Sequence, residues 1–489
     1  MELKVKTFGI KTSKPIAFIQ EDDAARLGIH SGERISLESH GVSFVAVTDT
    51  MHGVLKSGEI ALSQDLIKKL NVKSNKMIHV TMSPAPKSAS IIQKKLECKP
   101  YTKKELKKII SDIVSNKISE IEIAYFISGV SHCGMSLDET TFLTEAIFET
   151  GRKLTWNSGK VADKHSIGGV PGNRTTPIVV AICAAAGVKM PKTSSRAITS
   201  AAGTADTLET IAKVDFSAKE LKQIVNKVGA CLIWGGSLGL APADDKLIRV
   251  EKVLSLDPEP QLIASILAKK LAAGSKYVLI DIPAGKGAKV SKKEAEKLKS
   301  KFLKIGKKLK LKIRVVITNG SQPIGNGVGP ILEVKDILRV LRQEDSPKDL
   351  EKKCILLSGE ILEMVGKSKK GKGKLLAKEL LTSGKAFKKF EEIIKAQEGK
   401  LTYLKKSKFS QKIKSKKDGK IAHIENKKIS YLARLAGCPL DKASGLYLHK
   451  HKNEKIKKGE TLLTIYSESK QKMKDSLNYL KEEKPIVVE

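Results

Sequence analysis

Aromatic residues and long apolar runs are scarce in this sequence. Phe, Trp and Tyr together make up 4% of its 489 residues. No apolar run approaches the roughly 20 residues that a membrane-spanning helix needs. The N-terminal stretch MELKVKTFGIKTSKP also lacks the charged-then-apolar pattern of a secretory signal. From these absences we expect a cytoplasmic protein that has no membrane partner.

Closely spaced cysteines are missing as well. The chain has six cysteines, none of them in a CxxC pair: Cys98, Cys133, Cys183, Cys231, Cys354 and Cys438. Without such spacing neither a disulfide framework nor a zinc site is indicated, so we expect reduced, mostly buried thiols and no metal centre. A nucleoside-triphosphate P-loop is absent too, and GNGVGP (325–330) lacks the third glycine of a dinucleotide-binding loop. The sequence therefore predicts no cofactor.

Acidic residues are outnumbered by basic ones. The chain has 53 Asp and Glu against 90 Lys and Arg, which gives a formal net charge of +37. Such a charge can indicate nucleic-acid binding. However, the lysines are spread over the whole length and are not grouped with aromatic residues, so solvated helix faces explain most of them. Since a basic field also attracts dianionic phosphate substrates, a nucleic-acid partner is the weaker interpretation.

Two glycine- and hydroxyl-rich segments dominate residues 163–209. The first, DKHSIGGVPGN, brings a cation, an imidazole and a hydroxyl together in Lys164, His165 and Ser166. The second, TSSRAITSAAGTADTLE, has many hydroxyls around one arginine, and an apolar helix-like run (178–187) separates the two segments. Glycines let backbone N–H groups approach a ligand, and helix N-termini favour anions. Both segments therefore predict phosphate-binding loops; ordinary turns leading into helices are the alternative.

The same two segments carry a family resemblance. KHSIGGVPGN followed by SSRAITSAAGTADTLE resembles the thymidine and pyrimidine-nucleoside phosphorylase family, and the resemblance runs from about residue 90 to near the C-terminus. The second segment is similar to the family signature S-x-R-x(4–6)-G-G-T-x-D-x-x-E, with Ala202 replacing one glycine. Pro171, Asn173 and SRAITS resemble the archaeal AMP phosphorylase branch, which also has an added N-terminal domain.

That resemblance implies an enzyme, a pentosyltransferase of nucleotide metabolism. The expected reaction is phosphorolysis of AMP, and of CMP and UMP as further substrates, with inorganic phosphate as co-substrate. Its products are the free base and ribose 1,5-bisphosphate. A pyrimidine-nucleoside phosphorylase acting on thymidine or uridine is the alternative within the class. A basic nucleic-acid-binding or scaffold protein on a phosphorylase fold is the alternative from another class. We also expect a homodimer or a larger homo-oligomer.

The chain is too long for one core, and the expected fold is multidomain, with α/β and α+β parts. Short strands separated by turns predict a small β-barrel-like domain at the N-terminus. A Thr102 N-cap with Glu105 three residues on predicts the start of a helix in the helical domain. The expected divisions are an N-terminal β-rich domain (1–84), a Pro/Ser linker (85–92), a helical domain (93–160, joined by about 242–272), an α/β phosphate-binding domain (161–400) and a C-terminal α+β domain (401–489).

The resemblance also implies site residues. For the phosphate co-substrate they are Lys164, Ser166, Ser194 and Thr204. For AMP they are Gly169, Ser195, Arg196, Ala197, Ile198, Thr199, Ser200, Thr204, Ser265, Lys269 and Lys289. Arg196 offers a bidentate contact to the second phosphate, on O5′, although an ion pair with Asp206 or Glu209 is the alternative. Lys289 follows a strand end, where ligands collect in parallel sheets.

Two residues compete as the acid that protonates the leaving base. Asp257 matches the aspartate that AMP phosphorylases use, and burial in a dry cleft would raise its pKa into a useful range. A helix N-cap before PEPQLIASI is the alternative for Asp257. His165 ranks second, because an imidazole needs little tuning near neutral pH and also suits orientation of the sugar. The arginine that reads a pyrimidine in the nucleoside enzymes falls on Val250 here, one residue from Arg249.

Overall fold

The computed structural model describes residues 1–12, 15–157, 160–197, 200–401 and 404–489. The chain forms two compact units. The first comprises Met1–Met135 and Lys246–Pro258, and the second comprises Ser136–Asp245 and Glu259–Glu489. None of the helices in the described ranges combines the length and apolar character that a bilayer crossing requires.

A closed barrel of six strands begins the first unit, in the order β1-β5-β2-β4-β3-β6. The strands are β1 (Glu2–Lys6), β2 (Ile16–Ile19), β3 (Arg34–Ser39), β4 (Val42–Thr50), β5 (Glu59–Leu62) and β6 (Met77–Met82). Alternate residues such as Leu3, Val5, Ile35 and Leu37 are fully buried, as expected when every second side chain points into a barrel. Two short helices accompany them, α1 (Glu21–Leu27) and α2 (Gln64–Leu70). The predicted N-terminal β-barrel is confirmed.

Three helices follow in the same unit: α3 (Lys87–Leu96), α4 (Lys103–Val114) and α5 (Glu120–Cys133). The capping box predicted before α4 is present, since the Glu105 N–H donates to Thr102 Oγ1 at 3.3 Å and the Thr102 N–H donates to Glu105 Oε2 at 2.8 Å. The prediction of a linker over residues 85–92 is wrong, because α3 begins inside it. Ser88 is buried and donates a 2.7 Å hydrogen bond to Asp112 of α4, which ties this helix into the unit.

Cys98 and Cys133 are joined by a disulfide, with 5.2 Å between their Cα atoms. The expectation of reduced thiols is therefore wrong for this pair. The two residues are 35 positions apart in sequence, and only the packing of α3 and α5 brings them within disulfide distance. The other cysteines are free and buried, as expected: Cys183, Cys231, Cys354 and Cys438.

Parallel strands form the centre of the second unit. They are β7 (Ala162–Ser166), β8 (Met190–Ser194), β9 (Ala230–Trp234), β10 (Tyr277–Ala284) and β11 (Lys312–Asn319). The orders are β11-β10-β7 and β8-β9, and an isolated parallel bridge between Val161 and Lys189 joins the two groups. Because every pairing is parallel, the carboxyl ends of the strands lie at one edge, where ligands collect in such sheets.

Helices surround these strands. They are α6 (Leu137–Thr150), α7 (Thr175–Ala185), α8 (Thr204–Leu208), α9 (Ala218–Val228), α10 (Pro242–Leu254, in the first unit from Lys246 on), α11 (Glu259–Ala272), α12 (Lys292–Lys308), α13 (Pro330–Arg342), α14 (Lys348–Met364), α15 (Gly373–Thr382) and α16 (Lys385–Ala396). A 3₁₀ turn covers Gly236–Leu238. The apolar helix predicted over residues 178–187 is confirmed as α7, and the structure shows that its residues Ile178 to Cys183 are fully buried.

The last part of the chain is antiparallel. Its strands are β12 (Gly327–Val328), β13 (Phe409–Lys414), β14 (Gly419–Ile424), β15 (Gly445–Leu448), β16 (Lys455–Ile456), β17 (Thr461–Ser467) and β18 (Ile486–Val488). They form two sheets, β12-β15-β17-β13 and β16-β14-β18, packed with α17 (Asn426–Leu435) and α18 (Lys470–Glu483). The chain thus combines a barrel, a helical part, a parallel α/β part and an α+β part.

Candidate active site

Lys164 is buried in the middle of β7, two residues before that strand ends. It lies on β7, one residue before His165, and only 1% of it is exposed. Its Nζ donates a 2.7 Å hydrogen bond to the hydroxyl of Thr175, the first residue of α7. Burial lowers the pKa of Lys164 to about 8; the Asp281 carboxylate opposes this shift and the Lys353 ammonium adds to it. A buried ammonium so close to losing its proton is stabilised when an anion binds beside it.

A buried cluster of one carboxylate and two lysines holds β7 to its neighbouring elements. Asp163 accepts from Lys270 Nζ at 2.7 Å and lies 3.3 Å from Lys192 Nζ. Burial raises the pKa of Asp163, but the two ammonium groups outweigh burial and hold it below its ordinary value. The carboxylate therefore stays ionised, and its interactions with α11 and β8 set the position of the strand that carries Lys164.

His165 is half-buried among positive charges. Burial, followed by the charges of Lys270, Lys192 and Lys269, holds its pKa well below the ordinary value. The ring is therefore neutral at physiological pH and offers one N–H donor and one acceptor. A neutral imidazole suits orientation of a substrate hydroxyl better than protonation of a leaving group.

Arg174 joins the two predicted phosphate loops. Its Nε donates to the buried Glu333 carboxylate at 2.5 Å, its Nη1 donates to Thr204 Oγ1 at 3.0 Å, and its Nη2 donates to the Ala202 carbonyl at 2.8 Å. Sequence reasoning missed this residue. Its place directly after the first loop, and directly before the helix that the loop leads into, was the signal that could have found it.

Arg196 is held in an intramolecular ion pair. Its guanidinium meets the two Glu209 oxygens at 2.5 and 2.8 Å, approaches Asp206 at 3.4 Å and stacks on the Trp234 ring at 4.9 Å. The hydrogen bond from Arg196 lowers the pKa of Glu209 to about 2; burial opposes the shift and Lys442 adds to it. The ion pair offered as the alternative from sequence is therefore present, and a contact of Arg196 with a second phosphate stays a prediction.

Two buried polar atoms at the loops have no hydrogen-bond partner within the described parts of the chain. They are Ser194 Oγ, at the end of β8, and Asn173 Oδ1, in the first loop. The other amide atom, Asn173 Nδ2, donates to Ser166 Oγ at 3.3 Å. An unsatisfied buried polar atom costs about 1–3 kcal/mol, so a site that holds two of them is suited to a polar ligand.

The first loop is in close contact with the segment after β10. Gly169 has φ +85°, and a Cβ added there would lie 2.9 Å from Lys289 Cβ and 3.1 Å from the Lys289 backbone nitrogen. Lys289 is exposed, and its Nζ lies 3.5 Å from the Ile167 carbonyl oxygen. The structure therefore brings together Gly169 and Lys289, which sequence reasoning assigned to AMP binding from distant segments.

The second loop is shaped by Asp206 and Gly203. Asp206 Oδ2 accepts from the Ala197 N–H at 2.6 Å and from the Gly203 N–H at 2.9 Å. A Cβ on Gly203 would lie 2.5 Å from the Ser195 carbonyl oxygen, so only glycine allows the turn to close. Ser200 Oγ donates to the Ala202 carbonyl at 3.0 Å. The predicted residues Ile198 and Thr199 lie outside the described residues.

Ser265 and Lys269 stand one turn apart on α11. Ser265 is buried, and Lys269 Nζ donates to the buried Asp244 at 2.6 Å.

Asp257 is exposed and belongs to the first unit, whereas the loop residues belong to the second, so its role as the acid stays a prediction. Helix α11 begins at Glu259, so Pro258, and not Asp257, directly precedes it.

Family models match most of the chain. A model described as "Glycosyl transferase family, helical bundle domain" matches residues 89–151. One described as "Glycosyl transferase family, a/b domain" matches residues 158–387. A third, "Pyrimidine nucleoside phosphorylase C-terminal domain", matches residues 420–487.

Curated relatives match from end to end. The AMP phosphorylase of Pyrococcus furiosus is 42% identical over 494 residues, which cover 100% of this chain and 98% of the relative. The chain belongs to the AMP phosphorylase family. Two further AMP phosphorylases, from Methanococcus aeolicus and Archaeoglobus fulgidus, are 40% and 38% identical, and each match covers 100% of this chain and 97% of the relative. The family resemblance predicted from the two loop segments is confirmed.

One solved structure is similar to this chain in fold alone. Anthranilate phosphoribosyltransferase (TrpD) from Thermus thermophilus matches with a TM-score of 0.54 and 18% identity. The match covers 63% of this chain and 99% of that one.

Proposed function

We propose that this protein catalyses phosphorolysis of AMP, with CMP and UMP as further substrates. An oxygen of inorganic phosphate forms a bond to C1′ as the bond from C1′ to the base nitrogen breaks. The products are the free base and ribose 1,5-bisphosphate, which makes the enzyme a pentosyltransferase. The observation that carries this function is the end-to-end match, at 42% identity, to a protein named AMP phosphorylase.

For the inorganic phosphate we propose the cradle of Lys164, Ser166, Ser194 and Thr204. Three features of this set support that role. Lys164 supplies a buried positive charge, Ser194 Oγ is buried without a partner among the described residues, and Arg174 holds the Thr204 hydroxyl in place. Positioned donors of this kind orient the nucleophile and stabilise the charge that redistributes in the transition state.

For the second phosphate, on O5′ of the nucleotide, we propose Lys289 together with the segment of Ser195, Ala197 and Ser200. Arg196 is engaged by Glu209, so we assign it to holding this segment in shape, with any direct contact to substrate a secondary role. Ser265 and Lys269 remain our candidates for the base side of the nucleotide. Asp257 is the proposed acid, and the neutral His165 is proposed to orient the ribose.

Product analysis tests this function. The purified protein is incubated with AMP, adenosine or uridine, each with and without phosphate, and the products are separated by chromatography and examined by phosphorus NMR. We expect adenine and a doubly phosphorylated ribose from AMP only when phosphate is present, with little product from adenosine. Turnover of uridine in place of AMP would move the assignment to nucleoside phosphorolysis, and base release without phosphate would indicate a hydrolase.

The cellular location, the assembly state and the cofactor requirement of the enzyme are also proposals. We propose a cytoplasmic homo-oligomer that needs no cofactor beyond the phosphate co-substrate. Light scattering at several protein concentrations measures the assembly, and a monomer at all concentrations would refute it. Activity that survives exhaustive dialysis against a chelator is the expected result for a reaction that uses no metal.

A further inference from the structure

A cluster of two cysteines and one histidine lies where α3 and α5 end. Cys98 follows α3, and His132 and Cys133 are the last two residues of α5. The two sulfur atoms and an imidazole nitrogen all lie within 4.8 Å of one another. Nothing in the proposed reaction uses these residues.

The backbone already holds the three side chains in a suitable arrangement. Cys98 has φ +56°, a conformation that turns the chain sharply after α3, and its Cα lies 5.2 Å from that of Cys133. Cys98 and His132 are exposed and Cys133 is half-buried, so ions reach the cluster from solvent. In a tetrahedral site with Zn–S of about 2.3 Å and Zn–N of about 2.0–2.1 Å, ligand atoms lie roughly 3.5–3.8 Å apart. Small side-chain rotations reach this spacing once the sulfur atoms are no longer bonded.

The chemistry of the donors selects the kind of ion. Two thiolates and a neutral imidazole are soft and borderline ligands, which favour zinc-like ions over magnesium or calcium. Three protein ligands leave the fourth position to water or to an external ligand. We propose that the reduced cluster of Cys98, His132 and Cys133 is a surface binding site for a zinc-class divalent metal ion. This proposal replaces the expectation of no metal centre, which rested on the absence of a CxxC pair.

Binding is coupled to the oxidation state of the two cysteines. Reduction of the disulfide takes two electrons and two protons and yields two thiols. A thiol reductant supplies both and is oxidised to a disulfide, whereas a phosphine supplies the electrons, takes its oxygen from water to become a phosphine oxide, and leaves the two protons of that water for the thiols. Uptake of the metal ion then releases both thiol protons as two S–metal bonds form. Since a sulfur in a disulfide has no thiolate to offer, the disulfide and the metal-bound state exclude each other.

Cobalt(II) is the probe for this site, because its tetrahedral thiolate complexes absorb visible light through d–d bands, which the d¹⁰ zinc ion lacks. The full-length protein is reduced with a phosphine, desalted without oxygen and titrated with Co²⁺. We expect thiolate-to-cobalt charge-transfer absorption and tetrahedral d–d bands that disappear when Zn²⁺ is added. The oxidised protein should show neither. Equal binding by oxidised and reduced protein, or no absorption from reduced protein, would overturn the proposal.

Variants connect the signal to the cluster. Cys98→Ser and Cys133→Ser should each at least halve the charge-transfer band, because each removes one of the two S–Co bonds, and His132→Ala should weaken Co²⁺ binding at least tenfold. His52→Ala, at an exposed histidine elsewhere in the first unit, and Cys438→Ala, at a buried cysteine, are the matched controls and should leave the titration unchanged. An undiminished band in Cys98→Ser would mean that the metal binds elsewhere. Circular dichroism shows whether each variant is folded, and the comparison of oxidised with reduced wild-type protein needs no variant.

Discussion

Arg174, directly after the first loop, and Glu333, on α13, form an ion pair with 2.5 Å between Nε and Oε2. Glu333 is 1% exposed and also accepts from the Thr207 hydroxyl at 2.9 Å. Through these hydrogen bonds, the guanidinium and the carboxylate connect three segments: the end of the first loop, the turn before α8 and the start of α13. This pair therefore acts as a positioning device for Thr204, a residue we assign to phosphate binding.

Arg174→Ala should weaken both the fold and phosphate binding. Removal of the guanidinium leaves the Glu333 carboxylate buried without its cation, which costs about 3–5 kcal/mol in the free energy of unfolding. The KM for phosphate should rise, because the Thr204 hydroxyl loses the hydrogen bond that Arg174 donates to it. Urea unfolding followed by two spectroscopic probes measures the first effect, and steady-state kinetics measures the second. Arg152→Ala, at an exposed arginine of the same unit, is the control; a loss below about 1 kcal/mol in Arg174→Ala would contradict the prediction.

Lys164 should produce a limb in the pH profile for phosphate. Its pKa of about 8 means that the free enzyme loses this positive charge as pH rises through that value. The kcat/KM for phosphate should then fall roughly tenfold per pH unit above it. Lys164→Arg should remove the limb, even at lower absolute activity, because a guanidinium stays protonated. An identical limb in the variant would assign the titration to another group.

The same lysine predicts a change in stability, with a definite sign. Above about pH 8 the folded protein begins to release a proton that the unfolded chain still binds. The unfolded state then carries more bound protons, so the contribution of Lys164 to the free energy of unfolding increases with pH until the ordinary lysine range is reached. Comparison of unfolding in wild type and Lys164→Met across this window isolates the contribution. A contribution that decreases with pH would contradict it.

Ser194→Ala should separate binding from stability. The hydroxyl has no hydrogen-bond partner among the described residues, so its removal should leave the fold as stable as before, or slightly more stable. Phosphate binding should weaken by about 0.5–1.5 kcal/mol, the usual worth of a hydrogen bond, which raises KM severalfold. Ser358→Ala is a matched control, because Ser358 Oγ on α14 is also buried and unsatisfied but lies outside the proposed cradle. An equal effect of the two variants on KM would remove Ser194 from the site.

Asn426→Ala should raise the KM for AMP. This buried residue starts α17 and donates to the carbonyl oxygens of Gly287 at 3.1 Å and Gly320 at 2.8 Å, so it ties together the turns after β10 and β11. Loss of the amide leaves both carbonyls without this donor and loosens the segment that carries Lys289. The KM for AMP should rise more than the KM for phosphate. Asn478→Ala, at an exposed position of α18, is the control; equal changes in both KM values would indicate a general loss of structure.

The local features of the chain were predictable because short-range rules govern them. The capping box of Thr102 and Glu105 depends on residues three apart, and the barrel depends on alternation along single strands. The family membership was recognisable from the two loop segments, in which cations, hydroxyls and glycines occur together; phosphate binding by these loops stays a prediction. The domain bounds and the roles of individual site residues stay predictions.

The features that were missed all depend on residues far apart in sequence. Helix α3 is stabilised by packing and by the bond from Ser88 to Asp112, although its Pro- and Ser-rich start is typical of a linker. The Cys98–Cys133 pair has no spacing signature, and Arg174 reaches Glu333 across 159 positions. Propensity and motif spacing carry no information about such contacts.

The sequence by itself determined the kind of chemistry: loops rich in Lys, Ser, Thr and Gly, family membership, and a parallel α/β framework that brings strand ends to one edge. Only the tertiary structure decided the pKa values and the ion pairs of the residues in and near those loops. Burial lowers the pKa of Lys164 and of His165, and the proximity of Glu209 engages Arg196. The reason is physical, since solvation and charge–charge distances exist only once the chain has packed and brought distant residues together.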